Sequence, residues 1–417
     1  MILRVYTTCP GCDVPTMLRI GVAVAPGDRQ PFSVRCTQCN SVIRGKLITT
    51  EDSDVSAELD ESQLLSEEAS GDWRVITTHP AFPFIPQTVN SPFLEISNVL
   101  GKAARPYFQT VGEFNALAMK DWPKLERSYQ FYAAEDWDRF DNSMSGLLGD
   151  GWPDLPDMIM RHDLVHRLLT FMIFPLDPSG MYAALQKEIW ERAEPSQRLV
   201  DYVIDATAQS QFAALQKRLF SQIAHLINIR HLWMPSIPFL WLNRLGYNIP
   251  LGWRLPGDDF AVLRGVYQQN FELSCQALPM LVVAQNSADG RVATVIRADG
   301  ESSPWVPPQF PESLRSPRTL SQFEKLNAVA KEAFLDRFPL TEAAWNEAFD
   351  RNIRNAIAHA DADTVVATGD IMTGKGINLS YMEFVESIVK QLQLLLLWLN
   401  LAKLFRVYAV LAGRGQT

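Results

Sequence analysis

The chain lacks any uncharged apolar run of the eighteen or so residues that a membrane span needs. Its best, Gln391 to Ala402, is bracketed by Lys390 and Lys403, and predicts a buried bundle helix with no membrane as partner. Missing too is an apolar core followed by a small-residue cleavage site near the start. Ile2-Leu3-Arg4-Val5-Tyr6 reads as a strand, so the expectation is no secretory leader and a cytoplasmic compartment. There is no basic excess: the net charge of −9 argues against a protein that coats nucleic acid without specificity. Histidine is scarce, six in all, and His79, His162, His166, His225 and His231 show no ligand spacing with the cysteines. They read as ordinary hydrogen-bonded or surface histidines.

What is present suits a globular protein. The 417 residues are enough for two or three domains, and 47% hydrophobic with 20% charged residues is the ordinary range. The fold expected is mainly α, with a small N-terminal β module (residues 1–50), an acidic and Pro-rich linker (51–92), a helical middle domain (93–256) and a C-terminal four-helix bundle (257–417).

Four of the five cysteines form Cys9-Pro10-Gly11-Cys12 and Cys36-Thr37-Gln38-Cys39. Two CxxC turns suit tetrahedral zinc, because each brings two thiolates to one ion while its N–H groups face the sulfurs. The flanking β-branched segments, Leu18 to Ala25 and Ser41 to Thr49, make this a zinc ribbon, with Cys9, Cys12, Cys36 and Cys39 holding a structural zinc. The alternative is a set of reduced or disulfide-forming thiols. So small a module has little core, so the metal supplies much of its folding free energy. Its six basic residues (Arg4, Arg19, Arg29, Arg35, Arg44, Lys46) leave two roles open, a reader of nucleic acid or protein and a ribbon that packs on its neighbour.

Glu51 to Asp72 carries nine acids and no base, and reads as a solvated tether, or as a strip that covers a basic groove. Helical spacing follows in Phe93–Gly101, Pro106–Trp122, Met158–Phe174, Gly180–Arg192 and Gln209–Trp233, with no repeat of fixed length. The prolines of Met234 to Pro256 mark a boundary. Beyond it helices are predicted over Asp258–Gln285, Ser321–Phe338, Thr341–Ala360 and Tyr381–Ala412, with a hairpin at Arg291 to Arg297. Cys275 reads as a buried apolar residue.

The third of these helices carries the chemistry. Leu340 and Trp345 flank Thr341 as a staple around an N-cap. Trp345, Phe349, Ile353 and Ile357 make one stripe, and Glu347, Arg351, Asn355 and His359 another. Arg354-Asn355-Ala356-Ile357-Ala358-His359, followed by a turn-rich insert (Asp361 to Leu379) and a long helix opening at Ser380-Tyr381, resembles the HEPN domains, many of which are metal-independent ribonucleases. A second Arg-to-His match, Arg161 to His166, runs into apolar Leu168 to Phe174 and reads as core. The resemblance covers roughly the last third of the chain. It implies a four-helix bundle, a two-fold homodimer with both copies of the motif in one cleft, an RNA substrate, Arg354 and His359 as catalytic pair, and Asn355 as the polar residue after the Arg. A toxin or defence role with a regulatory or antitoxin protein is implied too. Arg351 joins them from the stripe as a phosphate contact.

Imidazole serves as base or acid near neutrality, and guanidinium matches phosphate oxygens bidentately, so no catalytic metal is expected. On a continuous helix positions 354 and 359 point about 140° apart, whereas 355 and 359 face together. Asp361 and Asp363 beyond the His are a departure from the pattern, able to raise its pKa or repel RNA. The competing readings are a helix cap with surface ion pairs, and an inactive docking or sensing bundle with the zinc ribbon as binder.

Overall fold

The computed structural model describes residues 2–22, 29–50, 54–67, 72–79, 81–83, 91–149, 156–176, 178–250, 260–296, 317–358, 362–364, 370–373 and 378–414, with a few single positions between them. The protein is mainly α, with a small β region at its N-terminal end.

Six strands form that region: β1 (Ile2–Thr8), β2 (Pro15–Gly21), β3 (Arg29–Arg35), β4 (Val42–Thr49), β5 (Val55–Leu59) and β6 (Arg74–Thr78). They make two three-stranded sheets, β1-β2-β6 and β3-β4-β5, antiparallel throughout except for the parallel pairing of β6 with β2. Alternation along β2 and β4 turns Leu18, Ile20, Ile43 and Leu47 inward. There they join Val5, Phe32, Val34 and Ile76 in one core between the sheets.

Adding 27 to the numbers of the first hairpin gives the second: β1 becomes β3, Cys9 becomes Cys36, Cys12 becomes Cys39, and the Ile2–Gly21 pairing becomes Arg29–Ile48. Apart from the cysteines the sequence shows no such repeat by residue identity. The backbone repeats because two CxxC turns each need the same pair of strands to hold them.

The acidic linker of the sequence reading is corrected here, since it supplies β5 and β6. Val55, Ala57 and Leu59 alternate with Ser56 and Glu58, a strand period, and β4 offers an unpaired edge to them. Lys46 on β4 meets Glu58 at 2.6 Å across that pairing, so one acid of the run is neutralised by the ribbon.

The helices follow. They are α1 (Pro92–Leu100), α2 (Ala104–Lys120), α3 (Trp122–Ala133), α4 (Trp137–Leu148), α5 (Met158–Ile173), α6 (Met181–Arg192), α7 (Gln197–Val203), α8 (Ala206–Asn228), α9 (Arg230–Trp233) and α10 (Ile237–Leu245). Then come α11 (Phe260–Ala288), α12 (Leu320–Glu324), α13 (Ala328–Glu332), α14 (Pro339–Ala348), α15 (Arg351–Ala358) and α16 (Tyr381–Arg414). Several starts are set locally. The side chains of Asp136, Asp157, Ser196, Thr319 and Asn327 each accept a bond from the N–H three residues on.

Asn327 explains one departure. The expected helix over Ser321–Phe338 is α12, α13 and a 3-10 turn over Ala333–Arg337, because Asn327 caps a new helix in mid-run. The expected insert Asp361 to Leu379 contains short strands, β7 (Ala362–Thr364), β8 (Asp370–Thr373) and β9 (Asn378–Ser380), paired antiparallel in that order. In place of a hairpin at Arg291 to Arg297, Val295 bridges to Thr319; Arg297 lies outside the described residues.

Packing divides the chain into two units, each assembled from three segments. The first comprises Met1–Met119, Asn228–Val266 and Arg351–Val389, and the second Lys120–Ile227, Tyr267–Asp350 and Lys390–Thr417.

In the first unit His79 joins sheet to helices. Its ring stacks on Phe82 with centroids 4.4 Å apart, meets Phe93 edge-on, and lies so near Gly21 of β2 that a Cβ there would sit 2.1 Å from it. Phe82 continues to Phe108 and Tyr107, and Tyr107 to Trp241 of α10.

In the second unit the centre is the later part of α16, where Leu394 to Leu399 are all 0–1% exposed. A helix apolar on every side belongs in the middle of a bundle. By length and composition α16 is apolar enough to cross a membrane, and 67% of its apolar window is buried inside the protein.

Candidate functional site

Strand ends build the four-cysteine centre. β1 runs into Cys9 and β3 into Cys36. In each turn the N–H of the fifth residue closes on the first cysteine's carbonyl (Asp13 to Cys9, 2.9 Å; Asn40 to Cys36, 3.0 Å), and that cysteine's N–H is answered by the sixth (Val14, Ser41). Asp13 and Asn40 take φ of 56° and 61°, a region where Asp and Asn are the least strained non-glycine residues. Gly11 N–H then points at Cys9 Sγ and Gln38 N–H at Cys36 Sγ, each 3.4 Å away.

The two turns face one another. Cys9 Sγ lies 3.5 Å from Cys39 Sγ and Cys12 Sγ 3.7 Å from Cys36 Sγ, and all four sulfurs fall within 4.8 Å of each other. With metal–sulfur bonds of about 2.3 Å a tetrahedron has edges of about 3.8 Å. The donor set therefore fits a tetrahedral ion, and these four residues can hold a structural metal. Burial pushes the Cys9 thiol up to about 12, while the Ser41 hydroxyl and N–H hold Cys39 down to about 6.

The two turns differ in the room at their third residue. A Cβ on Gly11 would lie 1.9 Å from Ser41 Oγ and 2.7 Å from Ser41 Cβ, whereas the equivalent Gln38 is exposed.

The expected single helix over Thr341–Ala360 is corrected: it is α14 and α15, broken at Phe349-Asp350. Thr341 is not an N-cap. It lies in the first turn of α14, fully buried, and the cap is the Glu188 carboxylate of α6, which accepts from Leu340 N–H (3.0 Å), Thr341 N–H (2.9 Å) and Thr341 Oγ1 (2.7 Å). A negative group there also matches the positive end of the helix dipole.

The break has partners as well. Ala348 carbonyl accepts from Gln391 Nε2 at 2.9 Å and Asp350 carbonyl from Tyr267 Oη at 3.3 Å, so side chains serve carbonyls that another helical turn would have used. Gln391 Oε1 in turn accepts from Asn270, and Asn270 Oδ1 from Gln222. Phe349 packs into Trp345, Phe271 and Tyr267.

Trp345, Phe349, Ile353 and Ile357 are all buried, as the apolar stripe predicts, although they belong to two helices. The polar stripe divides too. Glu347 pairs with Lys390 at 2.9 Å. On α15, Arg354 is buried at 8% exposure and Asn355 beside it is exposed. Arg351 opens the helix, with its side chain outside the described set; His359 and Asp361 lie outside the described residues, and of Asp363 only the backbone is described, in β7.

The second Arg-to-His match lies in α5, with both histidines buried in a network that sequence reading missed. Tyr132 Oη meets His162 Nδ1 at 2.6 Å, His166 Nδ1 donates to the His162 carbonyl at 2.6 Å, and Gln216 Nε2 reaches His166 Nε2 at 3.3 Å. Arg406 of α16 donates to Gln216, Tyr132 and Glu135. Burial first, then the Arg406 and Lys403 charges, push His162 down to about 3; burial holds His166 well below the usual imidazole range. Both rings are therefore neutral at pH 7. The sequence signal was Arg406 in the apolar run of α16, a cation that needs company in a core.

No protein-family model, curated protein or solved structure matches this chain.

Proposed function

We propose that the protein is a HEPN-type, metal-independent endoribonuclease, with Arg354 and His359 as the catalytic pair, Asn355 orienting the imidazole and Arg351 on phosphate. The reading rests on the resemblance of Arg354 to His359 to the HEPN motif, and the observation beside it is that the short helix α15 leaves Asn355 exposed one position on from Arg354. The 140° divergence of positions 354 and 359 applies to a continuous helix, and α15 is described only to Ala358, the residue before His359.

In this reading His359 takes the proton from a ribose 2′-OH, and that oxygen forms a bond to phosphorus as the bond to the 5′ oxygen breaks. A proton returns to the leaving oxygen. Guanidinium groups hold the added charge on the phosphorane. Products carry 2′,3′-cyclic phosphate and 5′-hydroxyl ends. A homodimer through the C-terminal bundle brings two copies of the motif to one cleft, and a cytoplasmic toxin or defence role with a restraining partner follows from the resemblance. The four thiolates hold zinc, the ion that an all-sulfur tetrahedron favours, in a structural role.

A second reading is a docking or sensing protein without catalysis, whose ribbon binds nucleic acid or a protein. It is favoured by the burial of Arg354, which withdraws a phosphate ligand from solvent.

One experiment separates them: sequencing of RNA ends after incubation with the full chain, Arg354→Ala and His359→Ala. The nuclease reading expects cyclic-phosphate ends and a loss of at least ~100-fold in each variant, with 2′-O-methylated RNA and DNA spared. Cleavage needing added Mg²⁺, 3′-hydroxyl ends, or no cleavage with binding intact would overturn it.

A further inference from the structure

The second unit contains an open cleft of about 320 Å³ between α8 and α11. Its apolar lining is Phe212 and Leu215 of α8 with Met280 and Val283 of α11. Pro279 lines it as well, from inside α11. A proline within a helix lacks the backbone N–H, so the hydrogen-bond ladder of α11 is interrupted beside the space.

The rim is charged. Arg218 and Lys331 both line the cleft, and among the described residues no carboxylate forms an ion pair with either. Arg218 is held across the two helices by Gln276 Oε1 at 2.5 Å, a neutral partner that leaves its charge unbalanced. Among the described residues Glu324 is the one acid of the lining against Arg218 and Lys331, so their sum is positive on a chain whose total is −9.

An apolar floor with two unneutralised cations at its mouth selects a ligand with an apolar body and an anionic head. The volume sets its size. About 320 Å³ is at the small end of the ~300–1,000 Å³ range of ligand clefts, which suits a small ligand. We propose that this cleft is a binding site for a small amphipathic carboxylate of the medium-chain class, its tail over Met280 and Leu215 and its head between Arg218 and Lys331. The site does not depend on the ribonuclease reading, since none of its residues belongs to the Arg-His motif.

The test is isothermal titration of the full chain with octanoate, with octylammonium and 1-octanol as controls. The expected result is one saturable site per chain for octanoate and at least ~10-fold weaker binding of either control. The Arg218→Ala, Lys331→Ala double variant changes only rim side chains, and weakens octanoate by ~10-fold or more; Met280→Trp fills the cleft and removes binding. Circular dichroism accompanies each variant, and if Met280→Trp does not fold, the rim variant decides. Octylammonium binding as tightly as octanoate, an unchanged rim variant, or no saturable binding at 5 mM would overturn the proposal.

Discussion

Gly11→Ala is the sharpest probe of the four-cysteine centre. The new Cβ would lie 1.9 Å from Ser41 Oγ and 2.7 Å from Ser41 Cβ, with Cys39 Sγ at 3.3 Å. Hydroxyl rotation can relieve the first contact but not the second, because Ser41 Cβ is fixed to the second turn. One turn must then retreat from the other, opening sulfur pairs that stand at 3.5 and 3.7 Å. Overpacking of this kind costs about 1–3 kcal/mol, and at 1.4 kcal/mol per factor of ten that is ~5- to 150-fold in zinc affinity.

The assay is zinc transfer to a coloured chelator, which also reads stoichiometry, expected at one per chain. Gln38→Ala, at the position equivalent to Gly11, is an internal control because Gln38 is exposed, and should bind within about twofold of wild type. Ser41→Gly removes both clashing atoms while keeping the N–H beside Cys39, so Gly11→Ala combined with Ser41→Gly should recover most of the loss. Wild-type affinity in Gly11→Ala, or no recovery in the double variant relative to Ser41→Gly alone, would refute the reasoning.

Two further outcomes follow from the second unit. Glu188→Ala removes a carboxylate that is, among the described residues, the partner of three donors, two of them on fully buried Thr341, and should cost about 3 kcal/mol, a melting-point drop of about 6–12 °C for a unit of this size by calorimetry, with no change in zinc content. His162, whose folded pKa is depressed to about 3, is neutral in the native state while the unfolded chain protonates below about 6.5, so its contribution is complete above pH 6.5 and is lost as pH falls. Urea titrations should therefore show wild type losing about 2–3 kcal/mol more than His162→Asn between pH 7 and 4.5, and equal losses would remove His162 as the cause.

The four-cysteine cluster was legible in the sequence because CxxC spacing is a local property: it fixes which sulfurs can converge whatever the rest of the chain does. The helical body was legible for a similar reason, since the recurrence of Trp345, Phe349, Ile353 and Ile357 at every fourth position marks what must be buried, and all four are. Spacing did not say where helices stop. The break after Ala348 depends on a Gln391 amide and a Tyr267 hydroxyl more than forty residues away in sequence, and the start of α14 on Glu188, 152 residues before Leu340. The acidic run from Glu51 looked unable to fold alone, and alone it has no edge to pair with; β4 supplies that edge. The 27-residue repeat, the neutral histidines of α5 and the cleft at Pro279 were hidden likewise, because each is a relation between segments. Local propensity names the elements, but their ends and their charges are settled by whichever distant donor or acceptor the packed chain brings to them.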